Sequence, residues 1–116
     1  MEGRSEELTG CEVVWSAGCI TVSGEIDFAN ARVIGRRMIA LLIPGSIVVD
    51  CRQVTFLDAA GLRMFADLGR AAIDVGAVVH LQSSPAVTET IRLCGVQELP
   101  GLVLDRNDAD GPRTPR

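Results

Sequence analysis

The stretch that decides the fold is Val54-Thr55-Phe56-Leu57-Asp58-Ala59-Ala60-Gly61-Leu62, set between an apolar run and an amphipathic one. Before it, Ser46-Ile47-Val48-Val49-Asp50-Cys51 reads as a short strand buried on both faces. After it, Leu62, Phe65, Gly69, Ala72 and Ile73 recur at helical spacing, predicting a helix from about Ala60 to Val75 that Gly76 closes. The chain therefore turns here from sheet to helix, with Asp58 placed to cap the helix and Gly61 free of side-chain crowding. In open α/β folds such turns carry the ligand or partner surface. Yet the tip holds two alanines, where chemistry would want a hydroxyl or a charge.

Working outward, the strand signals on the N-terminal side are Cys11–Trp15 and Cys19–Ser23, a hairpin in which Ile20 and Val22 share a face. Gly24-Glu25-Ile26-Asp27 stops the second strand, and Asp27 is the expected N-cap of a helix running to about Leu42. Ile34, Met38, Leu41 and Leu42 form its apolar stripe, and Gly35 within it marks a close contact with a neighbour. On the C-terminal side, Ala77-Val78-Val79-His80-Leu81 is a buried strand. Ser84 and Pro85 start a third helix with Val87, Ile91 and Cys94 on one face. Leu102-Val103-Leu104 is a last edge strand. The order β-β-α-β-α-β-α-β predicts an α/β domain over residues 10–105: a small, mixed, mostly parallel sheet with an N-terminal hairpin, covered by helices. Residues 1–9 and 106–116 are expected to be flexible termini.

Composition narrows the function. The 116 residues are 47% hydrophobic with only three Phe, one Trp and no Tyr, so one core is built from Val, Ile, Leu and Ala. No apolar run approaches the ~20 residues of a membrane span, and the start lacks the pattern of a secretory signal; a cytoplasmic protein is expected. A net charge of −4 without a dense basic run argues against direct nucleic-acid binding. Cys11, Cys19, Cys51 and Cys94 are scattered and joined by a single histidine, so no metal site is expected. Reduced thiols packed as small hydrophobes are preferred over a redox switch. The chain has no G-x-S-x-G elbow, phosphate loop or dinucleotide fingerprint. Asp27, Asp50 and Asp58 can gather at one rim, but caps and turns explain them more simply. His80 reads as a satisfied strand residue. No enzyme and no cofactor are predicted.

Three motifs in order go further. Gly24-Glu25-Ile26-Asp27, Asp50 at the end of its strand, and Phe56-Leu57-Asp58-Ala59-Ala60-Gly61-Leu62 together resemble the STAS domain, most closely the bacterial anti-sigma factor antagonists. Ser84-Pro85-Ala86-Val87 and Ile91-Arg92-Leu93-Cys94-Gly95-Val96 match that family's third-helix region. The resemblance implies binding to an anti-sigma factor with a histidine-kinase-like ATPase domain, which frees a sigma factor. It also implies a partner surface at Asp27, Asp58, Ala59, Ala60, Gly61, Leu62 and Arg63. In the family the kinase phosphorylates a serine or threonine two positions after the motif aspartate. Here that position is Ala60, which has no hydroxyl to attack a γ-phosphate. Thr55, Ser83, Ser84, Thr88 and Thr90 are the other hydroxyls near the motifs, and Ser84 is better explained as a cap. Two further functions fit the family: a stand-alone STAS subunit docking on a membrane lipid-transport ATPase, and a nucleotide-binding module, for which no phosphate loop is present. Monomer and homodimer are left open.

Overall fold

Chain order and spatial order coincide in the sheet. The computed structural model describes residues 4–16, 18–95 and 99–105. Its strands are β1 (Arg4–Leu8), β2 (Cys11–Ser16), β3 (Cys19–Ile26), β4 (Gly45–Leu57), β5 (Ala77–Ser83) and β6 (Leu102–Asp105), side by side in that order. The first three pair antiparallel, and β3 through β6 pair parallel. Helices α1 (Ala31–Ala40), α2 (Ala59–Val75) and α3 (Pro85–Leu93) make the crossovers. Because the strand order never reverses, right-handed crossovers all fall on one side of the sheet. That side holds the core: Ile20, Val22, Val49, Cys51, Val79 and Leu81 are buried under Ile34, Met38, Phe65 and Leu68. The other face is open, with Val78 and Val103 each 43% exposed. The run at 46–51 is thus covered on one face, not both, and its burial alternates with period two.

Three local expectations change. The N-terminal stretch expected to be flexible includes β1, paired from Arg4 opposite Trp15 to Leu8 opposite Cys11. Its glutamates disfavour a strand by propensity. Tertiary contacts override that: Leu8 packs on the core, and Glu6 accepts from Arg37 of α1 at 2.7 Å. Residues 1–3 and the expected tail at 106–116 lie outside the described residues. β4 runs six residues past Cys51, to Leu57. Its register against β3 slips between Thr21 and Ser23 and again between Gly24 and Glu25, so the extension keeps pairing while the strand bends. Asp50 is therefore mid-strand. Lastly, α1 begins at Ala31, not at Asp27, and Leu41 lies outside it and exposed.

Other local readings hold. Ser84 caps α3 by accepting from the Val87 N–H at 3.2 Å, with Pro85 as its first residue. Gly76 ends α2 at φ 78°, a conformation that disfavours a side chain. At Gly35 an added Cβ would lie 2.9 Å from the Met64 Cγ, so the glycine lets α1 and α2 approach closely.

Candidate functional site

At the C-terminal edge of β3 and β4, two turns are knitted together around one aspartate. Asp58 caps α2, its Oδ1 accepting from the Gly61 N–H at 3.0 Å. Its Oδ2 accepts from the Phe28 N–H at 3.3 Å, across to the β3–α1 turn, and its own N–H donates to the Ile26 carbonyl at 3.3 Å. A negative charge there also suits the positive end of the helix. Gly61 is needed for a reason different from the expected one. A Cβ at this position would strike the Leu57 Cδ1 and reach within 3.0 Å of the Ile26 Cγ2. It is the tightness of the packing, not openness, that demands a glycine.

Asp27 shapes the other turn rather than capping α1 by side chain. Its Oδ1 accepts from the Ala29 N–H at 2.9 Å, and its carbonyl accepts from the Asn30 and Ala31 N–H groups at 3.1 and 2.8 Å. Asn30, 2% exposed, is the hidden fastener. Its Oδ1 accepts from the Asp27 N–H at 3.0 Å, and its Nδ2 donates to the Thr9 and Glu25 carbonyls at 2.7 and 2.8 Å. Both amide hydrogens and the oxygen are thereby satisfied, as a buried amide requires. From behind, the Thr90 hydroxyl of α3 donates to the Leu57 carbonyl at 2.9 Å.

Of the residues expected at the surface, Asp27, Asp58, Ala59, Ala60 and Arg63 surround this rim. Ala59 and Arg63 are exposed, and Asp27, Asp58 and Ala60 half-buried. Gly61 and Leu62 point inward, Leu62 at 9% exposure, so they form the rim's foundation. Asp50 stays apart on the open face of the sheet. There Arg52 donates to both its oxygens, at 3.0 and 2.9 Å, and holds its carboxyl below the usual carboxylate range. Next to the rim, a groove of about 890 Å³ runs between α1 and α2, lined by Phe28, Val33, Ile39, Ala59, Ala60 and Met64 and edged by arginines.

Among the described residues there is no cluster able to hold a metal. The rim is a shaped surface. The family model described as "Mlab, STAS domain" matches residues 12–104. The chain belongs to the STAS-domain family. This STAS domain is also similar to two solved structures of anti-sigma factor antagonists. One, from Mycobacterium paratuberculosis, is 25% identical with a TM-score of 0.60, the match covering 92% of this chain and 87% of that one. The other, SpoIIAA in its unphosphorylated form, is 14% identical with a TM-score of 0.59 over 93% and 91% of the two chains, a likeness of fold. No curated protein matches the sequence.

The hydroxyls near the motifs are engaged in hydrogen bonds. Ser84 is a buried cap, Ser83 and Thr88 share a 3.0 Å hydrogen bond, and Thr55 donates to the Gly24 carbonyl at 3.4 Å. Cys51 is fully buried and its thiol is pushed far up by burial. Burial pushes the Cys11 thiol up to about 11. Neither forms thiolate readily, so both pack as small hydrophobes. Cys94, expected on the buried face of α3, is exposed, because the helix ends at Leu93 and Cys94 is its C-cap.

Sequence reasoning missed Asn30 and named Thr90 only as a hydroxyl near the motifs, because the role of each depends on partners far away in the chain. It also missed Phe28, whose side chain is 82% exposed. One signal was available: a large aromatic in a turn, in a chain with three Phe.

Proposed function

We propose that this STAS domain is an anti-sigma factor antagonist whose rim binds a kinase-like ATPase anti-sigma factor and releases a sigma factor, with no phosphate switch at residue 60. The observation that carries the reading is a rim held by Asp58 through two backbone N–H groups, while residue 60 beside it offers only a methyl group. Phosphorylation of a hydroxyl there would add about −1.5 to −2 charges. A helix N-terminus accepts anions, so such a charge would be felt by the partner more than by the fold. Without the hydroxyl the rim is permanently in its binding form, and synthesis or turnover sets the activity.

The test pairs capture with phosphorylation. The native chain, used as bait in its own cytosol, recovers a kinase-like anti-sigma factor. That protein with ATP then leaves the native chain unlabelled and labels the Ala60→Ser variant. Labelling of the native chain with loss of binding refutes the missing switch, and recovery of no anti-sigma factor refutes the antagonist role. A second reading rests on the matched family's description, Mlab, STAS domain: a stand-alone STAS subunit that docks on a membrane lipid-transport ATPase. Recovery of a transporter ATPase in the same capture would favour it.

A further inference from the structure

The seven arginines whose side chains are described divide into two groups. Arg37, Arg52, Arg70 and Arg92 each pair with an acid, at 2.7, 2.9, 3.4 and 2.6 Å. Arg32, Arg36 and Arg63 have no acidic partner among the described residues, and all three edge the α1/α2 groove. The one acid of the groove lining, Asp67, is taken by Arg70. A chain of net charge −4 thus places three arginines without a salt-bridge partner along one groove.

Between these arginines the surface is apolar. Arg32 and Arg36 lie one turn apart on α1, with Val33 beside them, and Arg63 faces them from α2. Phe28 stands at the end where the groove meets the rim, and Ala59 and Ala60 belong to both surfaces. Its backbone is tied to Asp58 while its ring is almost free of contacts. An exposed aromatic on a fixed backbone loses little conformational freedom on binding and is the usual form of an interface anchor. A channel with an apolar floor and two charged edges suits an amphipathic helix whose apolar stripe lies down and whose flanks are acidic.

We infer that the α1/α2 groove is the seat of an acidic amphipathic helix of the anti-sigma factor, anchored on Phe28 and clamped by Arg32, Arg36 and Arg63. This rests on the antagonist reading above and adds the partner's chemistry to it. The arginines steer the encounter and fix the register, and the apolar floor supplies the adhesion. Ala59 and Ala60 line both the rim and the groove, so one partner covers both.

The experiment uses the full chain and the anti-sigma factor that it captures. Arg32→Glu/Arg36→Glu/Arg63→Glu should lower affinity at least about tenfold and flatten its salt dependence, and Phe28→Ala should lower it by about tenfold or more. Each single reversal, Arg32→Glu, Arg36→Glu or Arg63→Glu, should lower affinity, while Arg92→Glu, the same charge change on α3 away from the groove, leaves affinity unchanged. All these side chains are exposed, so thermal melts should match the native chain. A photoreactive benzoylphenylalanine at position 28 should cross-link to a partner segment rich in Asp and Glu. If the anti-sigma factor is captured but the triple variant binds like the native chain, or the cross-linked segment is basic, the inference falls and the antagonist reading stands. If none is captured, both fall, and binding of phosphatidylglycerol vesicles by the three arginines would show a lipid surface as the ligand instead.

Discussion

Replacing Asp58 by alanine removes both hydrogen bonds that its carboxylate accepts at the rim. One is the cap bond to the Gly61 N–H at 3.0 Å, whose loss costs about 0.5–2 kcal/mol at a typical helix N-terminus. The other, to the Phe28 N–H at 3.3 Å, is longer and reaches an exposed turn where water can replace the acceptor, so it adds about 0.5 kcal/mol. The sum is about 1–2.5 kcal/mol, or roughly 5–10 °C in Tm for a chain of this length. Urea unfolding should show a lower midpoint with an unchanged m-value, because the folded surface stays the same. Amide exchange reads the two bonds separately: the Gly61 and Phe28 N–H groups should both lose protection in Asp58→Ala. Asp58→Asn keeps an acceptor oxygen and should retain the Gly61 bond, losing less than half as much stability. Partner affinity should fall further than stability, because Phe28 is no longer presented on a fixed backbone. A stability loss below about 0.3 kcal/mol, or unaltered exchange at Phe28, would refute the coupling of the two turns through this carboxylate.

Ala60→Asp should weaken binding to the anti-sigma factor while the melt stays within about 1 kcal/mol of native, since the first helical turn tolerates an anion; isothermal titration and thermal unfolding decide it. Thr90→Val should cost about 1 kcal/mol in urea unfolding by leaving the Leu57 carbonyl without its 2.9 Å donor. Asp50 is lowered by the hydrogen bond from Arg52, so the pair stabilises above the ordinary carboxylate value of 3.8 and the contribution is lost as pH falls through the depressed value. In Arg52→Ala the carbon-detected titration of Asp50 should return upward; no movement would mean that Arg52 is not the cause. Cys51 has the opposite sign: its thiol is raised above the ordinary 9.0, so stability declines once the unfolded chain can ionise there, above about pH 9. Cys51→Val should flatten that alkaline slope, and a thiol reagent at pH 8 should modify Cys94 well before Cys51.

Where the reading depended on local rules, the residues themselves decided the structure. Asp58, Ser84-Pro85 and Gly76 act through neighbours within a few positions, so caps and helix limits were legible without tertiary information. The periodic runs located β2, β3, β5, α2 and α3, and their order implied a mixed, mostly parallel sheet with an N-terminal hairpin, though not its strand order. What the tertiary structure decided were placements governed by distant partners. β1 exists because Arg37 and the core accept Glu6 and Leu8, against their neighbours' propensity. The extension of β4 to Leu57 follows from register slips against β3 that no single strand reveals. The start of α1 depends on Asn30 joining Thr9, Glu25 and Asp27, contacts of which one spans 21 residues. The motif turn was legible as a cap and as a surface lacking a phosphate acceptor. Its union with the Phe28 turn, and the arginine-edged groove beside them, emerged only when α1 and α2 packed at Gly35, because charge and exposure are properties of a shared surface rather than of a segment.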